Sequence, residues 1–319
     1  MKAIVVNNPG GPEVLEYKDI PTPKIKSGWS LVKVRGFGIN HSEIFTREGK
    51  SPSVTFPRVL GIEAVGTIEE SSDESRLPIG QKIISIMGEM GREFDGGYAE
   101  YVLLPNNQIY PINTDLSWEK LAAVPETYYT AYGSLIGLNI QPNQSLLIRG
   151  ATSGVGIAAV KLAKAMFQEL KVIGTSRSSK KEKMLLDVGF DKVIIDNGAL
   201  QTDMKFDRIL DIIGPKTVPD SLQKLNTYGI VCSTGQLGGV WTLNNFDPII
   251  KIPNNCYLTS FYSGDVKEKE LNDMLKFIEK NNVDVAPEKI YKLSETRLAH
   301  EYLASSNSFG KTVVLPFGI

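Results

Sequence analysis

Apolar and polar positions alternate in short bursts along the first third of the chain. The runs AIVV (3–6), SLVKVRGFGI (30–39), EAVGTIEE (63–70), QKIISIM (81–87) and YAEYVLL (98–104) each suit a strand. Gly10-Gly11-Pro12, Pro21-Thr22-Pro23, Ser27-Gly28 and Pro78-Ile79-Gly80 separate them, and all of these are turn chemistry. Many short strands joined by close turns predict a partly open β-barrel or a sandwich.

The rhythm changes near residue 122. The buried-strand pattern SLLIRG (145–150) runs through ATSGVG into IAAVKLAKAMF, and Val155, Ala158, Ala159, Leu162, Ala163 and Met166 recur there at helical spacing. KVIGTS (171–176) predicts a strand, and KKEKMLLDVG (180–189) a helix that Gly189 can close. KVIID (192–196), DRILDII (207–213), YGIVCST (228–234) and CYLTSFY (256–262) continue as strands, with helical segments between several of them. Strands alternating with helices imply an α/β class built on a doubly wound parallel sheet. ELNDMLKFIEKNN adds an amphipathic helix, and KTVVLP (311–316) a last strand. A chain of 319 residues is long for one core. Two domains are expected: residues 1–121, completed by 264–319, and residues 122–263.

Composition narrows the function classes. The 42% hydrophobic and 22% charged content suits a globular enzyme. A net charge of −1 provides no field to attract nucleic acid or an anionic membrane. The opening MKAIVV is too short an apolar run for a signal peptide, and no later run is long enough to span a bilayer, so a cytoplasmic protein is expected. Cys232, Cys256, His41 and His300 are the whole stock of thiol and imidazole, without a C-x-x-C or H-x-x-x-H pair. A four-cysteine zinc site is therefore excluded within one chain, and no metal is expected. The two cysteines read as small buried hydrophobes.

The candidate chemistry lies in GATSGVG (150–156), placed between a strand and a helix. Gly154 and Gly156 let a pyrophosphate approach the backbone, and Thr152, Ser153 and Val155 complete a turn that opens on a helix N-terminus. The plainer alternative is a tight turn with close helix packing. The next strand ends at Thr175-Ser176, about 20 residues on, where an NAD site carries Asp or Glu. Here Ser176, Arg177 and Lys181 offer hydroxyl and cationic groups instead, which suits the 2′-phosphate of NADPH. A solvated basic helix start is the alternative for that cluster.

The segments LVKVRGFGINHSEIFTREG, FPRVLGIEAVGTI, GGYAEYVLLP, YYTAYGSL, GATSGVG, YGIVCSTG and FGKTVVLP together resemble the medium-chain dehydrogenase/reductases along essentially the whole chain. That resemblance implies a Rossmann domain joined to a GroES-like β-rich catalytic domain, commonly as a homodimer. Asn40 and Ile62 stand where the alcohol dehydrogenase branch has zinc ligands, and the four-cysteine loop is missing. Gly38-Ile39-Asn40, Glu43 and Arg47-Glu48-Gly49 are similar to the zinc-free quinone oxidoreductases instead.

The resemblance further implies that Asn40 and Thr130 hydrogen-bond near the nicotinamide, that Lys181 contacts the 2′-phosphate, and that Gly235 and Lys311 belong to the cofactor site. From the residues alone Asn40 reads as a turn residue and Thr130 as a helix-start hydroxyl. A tyrosine usual in the phosphate pocket is replaced around Asp196-Asn197. The reaction implied is hydride transfer from NADPH to a quinone or another electrophilic, conjugated carbonyl. An enone or enoyl-thioester reductase and a non-catalytic NADPH-binding redox sensor are the alternatives.

Overall fold

A computed structural model describes residues 1–318. It divides into two compact units. One comprises Met1–Glu126, Gly264–Leu275 and the chain from Val285 on; the other comprises Thr127–Ser263 and Lys276–Asp284.

The second unit is built on a sheet with six strands among the described residues, all parallel. In chain order these are Ser145–Arg149, Lys171–Ser176, Lys192–Ile195, Phe206–Asp211, Leu225–Ser233 and Tyr257–Ser260. Numbered in that order they lie 3-2-1-4-5-6 across the sheet, the arrangement of a dinucleotide-binding Rossmann fold. Both faces of such a sheet are covered, so its strands read as near-continuous apolar runs. Leu147, Ile173, Ile209 and Val231 are wholly buried on one face together with Phe206 and Leu222. The helix Gly154–Met166 packs Ala158, Ala159, Leu162 and Ala163 inward, and small alanines let it approach closely. The helix foreseen over 180–189 is shorter. A 3-10 turn, Ser179–Lys181, precedes the α-helix Glu182–Asp187, and Gly189 at φ 114° follows it as the closing glycine.

In the β-rich unit the strand Trp29–Ile39 is the spine. Its early residues pair with Tyr101–Pro105, its middle with Glu63–Glu70, and Phe37–Ile39 with Thr312–Leu315, all antiparallel. Lys82–Ile86 extends the sheet beyond Glu63–Glu70, and Lys289–Lys292 runs parallel to Thr312–Leu315. Tyr98, expected within a strand, sits just ahead of one. Only Ala99 bridges to Ala3 there, and the ring of Tyr98 turns inward to stack on Phe37 at 4.7 Å. Among the described residues no helix is long and apolar enough to cross a membrane.

Candidate active site

In the β-rich unit, Asn40 stands between the spine strand and the helix His41–Arg47. An asparagine at a helix N-cap ordinarily caps the first turn with its own side chain. Here Glu43 reaches back to accept the Asn40 backbone N–H at 2.7 Å, and the Asn40 amide turns elsewhere. Its Nδ2 donates to Glu63 Oε1 at 2.8 Å, and its Oδ1 accepts from Lys311 Nζ at 2.7 Å. Lys311 Nζ also donates to Glu63 Oε1 at 2.7 Å, which closes a ring of amide, carboxylate and ammonium. The other Glu63 oxygen accepts the Glu126 backbone N–H at 2.7 Å.

Glu63 is wholly buried and Lys311 nearly so. Each charge holds the other in place, because removing either partner would strand its counterpart away from water. Gly38 makes room for them. A Cβ there would lie 2.1 Å from Lys311 Cε and 2.3 Å from Glu63 Oε1. Among the described residues Glu63 takes one of the two Asn40 amide hydrogens, so the second is available to a carbonyl oxygen.

In the Rossmann unit the glycine turn is held from several sides. Ser153 caps the helix Gly154–Met166 by accepting the Gly156 N–H at 3.1 Å, and its hydroxyl donates to Gly150 O. By helix geometry the N–H groups of Gly154 and Val155 have no intrahelical acceptor, and they start the helix with the positive end of its dipole. Thr152 completes the turn ahead of the cap. Gly156 must be glycine, since a Cβ would come within 2.6 Å of Ala151 O. Gly235, just beyond the fifth strand, is equally constrained, with a Cβ at 2.3 Å from Ile212 O. Thr175 Oγ1 accepts the Gly150 N–H at 3.2 Å and ties the second strand's end to the glycine turn. Thr130 is buried in the helix Pro125–Gly137, where its carbonyl accepts the Ser134 hydroxyl.

Ser176 is nearly buried and folds its hydroxyl onto Ser178, bonding both the Ser178 N–H and carbonyl. Arg177 is exposed, and Lys181 closes the following turn. Partial burial holds the Lys181 ammonium below the usual lysine range, and the positive charge of Arg177 adds to that. Two cations that disfavour one another suit a dianionic group, because a phosphate would relieve both.

Behind that turn lies a network with no counterpart in the sequence expectations. Arg149, fully buried at the end of the first strand, makes paired bonds to Asp196 at 2.9 and 3.0 Å and reaches Asp220 at 2.7 Å. Its Nη1 also donates to Ser221 Oγ, which donates in turn to the buried Asp211 at 2.6 Å. The Asp196 carboxylate is thus turned onto a guanidinium, while its backbone N–H bonds Ser176 O at 2.9 Å.

Comparison with known proteins places the chain in a family. Residues 26–114 match the alcohol dehydrogenase GroES-like domain, and residues 188–314 match the zinc-binding dehydrogenase model. The quinone oxidoreductase of Rattus norvegicus is 30% identical over 329 aligned residues, spanning 99% of this chain and 98% of its own. The chain belongs to the quinone oxidoreductase branch of the medium-chain dehydrogenase/reductase superfamily. The acryloyl-coenzyme A reductase of Metallosphaera sedula is 27% identical, covering 74% of this chain and 77% of that one. A mycobacterial protein solved in complex with NADPH superposes with a TM-score of 0.83 at 23% identity, over 99% of this chain and all of that one, and so shares its fold.

As a member of this oxidoreductase family the protein uses a nicotinamide cofactor, and the glycine turn has the backbone donors and open approach that a pyrophosphate needs. Sequence reasoning singled out Asn40 and Lys311 separately, and the structure brings them together on Glu63. In sequence Glu63 is only the first residue of the strand pattern EAVGTIEE. Arg149 lies inside an apolar run, and an arginine there is the available sequence signal of a buried partner.

Proposed function

We propose that this protein transfers hydride from NADPH to a quinone or a similar conjugated carbonyl without a metal ion. The ring of Asn40, Glu63 and Lys311 carries the reading. Residue 40 is a zinc ligand in the alcohol dehydrogenase branch; here it is an amide, and a lysine ammonium already answers the buried carboxylate beside it. Ile62, at the second ligand position, is apolar and buried, and it takes part in hydrogen bonds only through its backbone, the N–H to Glu43 and the carbonyl from Met87. Among the described residues no three His, Cys, Asp or Glu side chains gather in a way that could hold a metal ion.

NADPH supplies the hydride when bound. Thr152 to Gly156 and Gly235 receive its pyrophosphate, and Ser176, Arg177 and Lys181 its 2′-phosphate. Asn40 and Thr130 offer hydrogen bonds to the carboxamide, and Lys311 holds Asn40 in orientation. A quinone accepts hydride and then a solvent proton, so no dedicated acid is required. The relative that reduces acryloyl-coenzyme A favours a second reading, in which an enoyl thioester is the acceptor. NADPH oxidation with panels of quinones, enones and enoyl thioesters decides between them. Tight NADPH binding with no oxidation by any panel would instead support a redox sensor. The same reading expects a homodimer. Tyr257 on the edge strand and the nearby Ile249 and Ile250 are exposed apolar groups of the kind a second copy would cover.

Two outcomes follow. Elemental analysis of the purified protein is expected to show no stoichiometric zinc, with activity unchanged in a strong chelator; one tightly held zinc per chain would overturn the metal-free mechanism. Asn40→Ala is expected to lower turnover about tenfold, equivalent to about 1.4 kcal/mol of transition-state stabilisation. Its thermal unfolding should be near that of the wild type. Unchanged steady-state kinetics would remove Asn40 from the site.

A further inference from the structure

Behind Asn40 lies a second set of polar groups, all buried in the β-rich unit, of which only Glu43 has a role so far. Glu43 and Tyr98 are wholly buried, His300 likewise, and Arg47 is 2% exposed. Arg47 Nη1 lies 3.1 Å from His300 Nδ1, His300 Nε2 lies 2.9 Å from the Tyr98 hydroxyl, and that hydroxyl lies 2.5 Å from Glu43 Oε2. The same Glu43 oxygen accepts the Asn40 backbone N–H, and Oε1 accepts the Ile62 N–H at 2.8 Å.

Donor chemistry fixes the direction of every link. A guanidinium has no acceptor, so Arg47 donates and Nδ1 accepts. His300 must then carry its proton on Nε2 and donate to the Tyr98 oxygen, which frees the Tyr98 hydroxyl to donate to Glu43. Burial supports this assignment. It drives His300 down to about 3, with the Arg47 charge adding to the effect, so the ring stays neutral. Burial also keeps Tyr98 protonated by raising it well above its usual value. The chain runs one way, from a guanidinium through two neutral groups to a carboxylate. Reversing any link would set two donors or two acceptors face to face.

We infer that Arg47, His300, Tyr98 and Glu43 form a one-way hydrogen-bond chain that holds Asn40 in place for hydride transfer, which makes Glu43, Tyr98 and His300 positioning residues of the reaction. This inference rests on the hydride-transfer reading given above. Glu43 is the joint: the Asn40 N–H bonds its carboxylate, while the Asn40 amide is set on Glu63 and Lys311. The chain works only with Glu43 ionised. A proton on Oε2 would face the Tyr98 hydroxyl and force that hydroxyl to turn toward His300 Nε2–H.

Tyr98, from the loop ahead of the Tyr101–Pro105 strand, meets Glu43 directly, and through Tyr98 it is linked to His300 of the Thr296–Ala304 helix and to Arg47 of its own helix. Glu63 faces Glu43 from its strand, with Lys311 paired to Glu63. Burial pushes the Glu43 carboxyl up to about 7. The Tyr98, Ile62 and Asn40 bonds oppose that shift, and Glu63 adds to it. The working form is therefore lost as pH falls through about 7.

Tyr98→Phe keeps the ring stacked on Phe37 and removes one hydrogen bond that favours the carboxylate. A hydrogen bond to a charged group corresponds to about one pH unit or more. The acid limb of kcat/KM is thus expected near pH 7 in the wild type and about one unit higher in Tyr98→Phe. In the protein without cofactor, the Asn40 backbone amide resonance should titrate with the same midpoint and move with it in the variant. The 15N spectrum of His300 should show a neutral ring protonated on Nε2. An Asn40 amide that does not respond to pH between about 5 and 9, an His300 protonated on Nδ1, or an acid limb unmoved in Tyr98→Phe would each overturn the chain. The amide titration decides the chain even if the protein oxidises NADPH with none of the acceptors, a result that defeats the hydride-transfer reading by itself.

Discussion

Replacing Arg177 and Lys181 together by alanine is expected to remove most of the preference for NADPH over NADH. Charge-assisted hydrogen bonds contribute roughly 1.5–3 kcal/mol each, so losing two of them should weaken NADPH binding by roughly a hundredfold or more. NADH, which lacks the 2′-phosphate, should bind both proteins alike. Arg177 is exposed and Lys181 half-buried, with Lys181 already held below the normal lysine range by that burial and by Arg177. The first cation therefore raises the cost of the second, and a phosphate relieves that cost. For this reason the single variants should differ. Arg177→Ala should cost the larger salt-sensitive part, because exposed charges are screened by ions and buried ones much less. Fluorescence titration with both cofactors at low and high salt measures this directly. Equal wild-type affinity for NADH and NADPH would return the cluster to a solvated turn.

The Rossmann half was legible because its signals are local. Ser145–Arg149 and Lys171–Ser176 are apolar runs closed within a residue or so of the expected ends, since strands buried on both faces need apolar residues throughout. The glycine turn is equally local, with strand, turn and helix adjacent in sequence. What sequence pattern missed was short and amphipathic. Glu16–Asp19 and Lys289–Lys292 are four-residue strands rich in charge, half-exposed at sheet edges, where alternation is too brief to separate from a loop. The candidate site was legible only in pieces. Asn40 and Lys311 meet across 271 residues, Glu63 and Lys311 across 248, and Tyr98 and His300 across 202. No local period carries such pairings. A buried charge shows in sequence as an anomaly inside an apolar run, and its partner is fixed by the fold.

Arg149 is such an anomaly, and Arg149→Leu is expected to be the most destabilising single change in the Rossmann half. The guanidinium is fully buried, holds Asp196 with two bonds, and reaches Asp220, Ser221 Oγ, and the carbonyls of Thr217 and Gly198. Leucine fills part of the volume but leaves the nearly buried Asp196 carboxylate with only the Gly198 N–H at Oδ1. Removing one partner of a buried ion pair costs about 3–5 kcal/mol. In a protein of this size that lowers the unfolding midpoint by roughly 2–4 °C per kcal/mol. The double variant Arg149→Leu with Asp196→Leu should recover much of the loss, because replacing a whole buried pair by apolar groups is often neutral. It should not recover cofactor affinity fully, since Asp196→Leu also removes the side-chain bond to the Gly198 N–H in the turn beyond, beside the strand end that the Asp196 backbone N–H ties to Ser176 O. Chemical denaturation of the wild type and both variants measures the stabilities, and NADPH titration the coupling. A loss below about 1 kcal/mol in Arg149→Leu, the range of an exposed pair, would mean that the carboxylates find water or other donors once the arginine is gone.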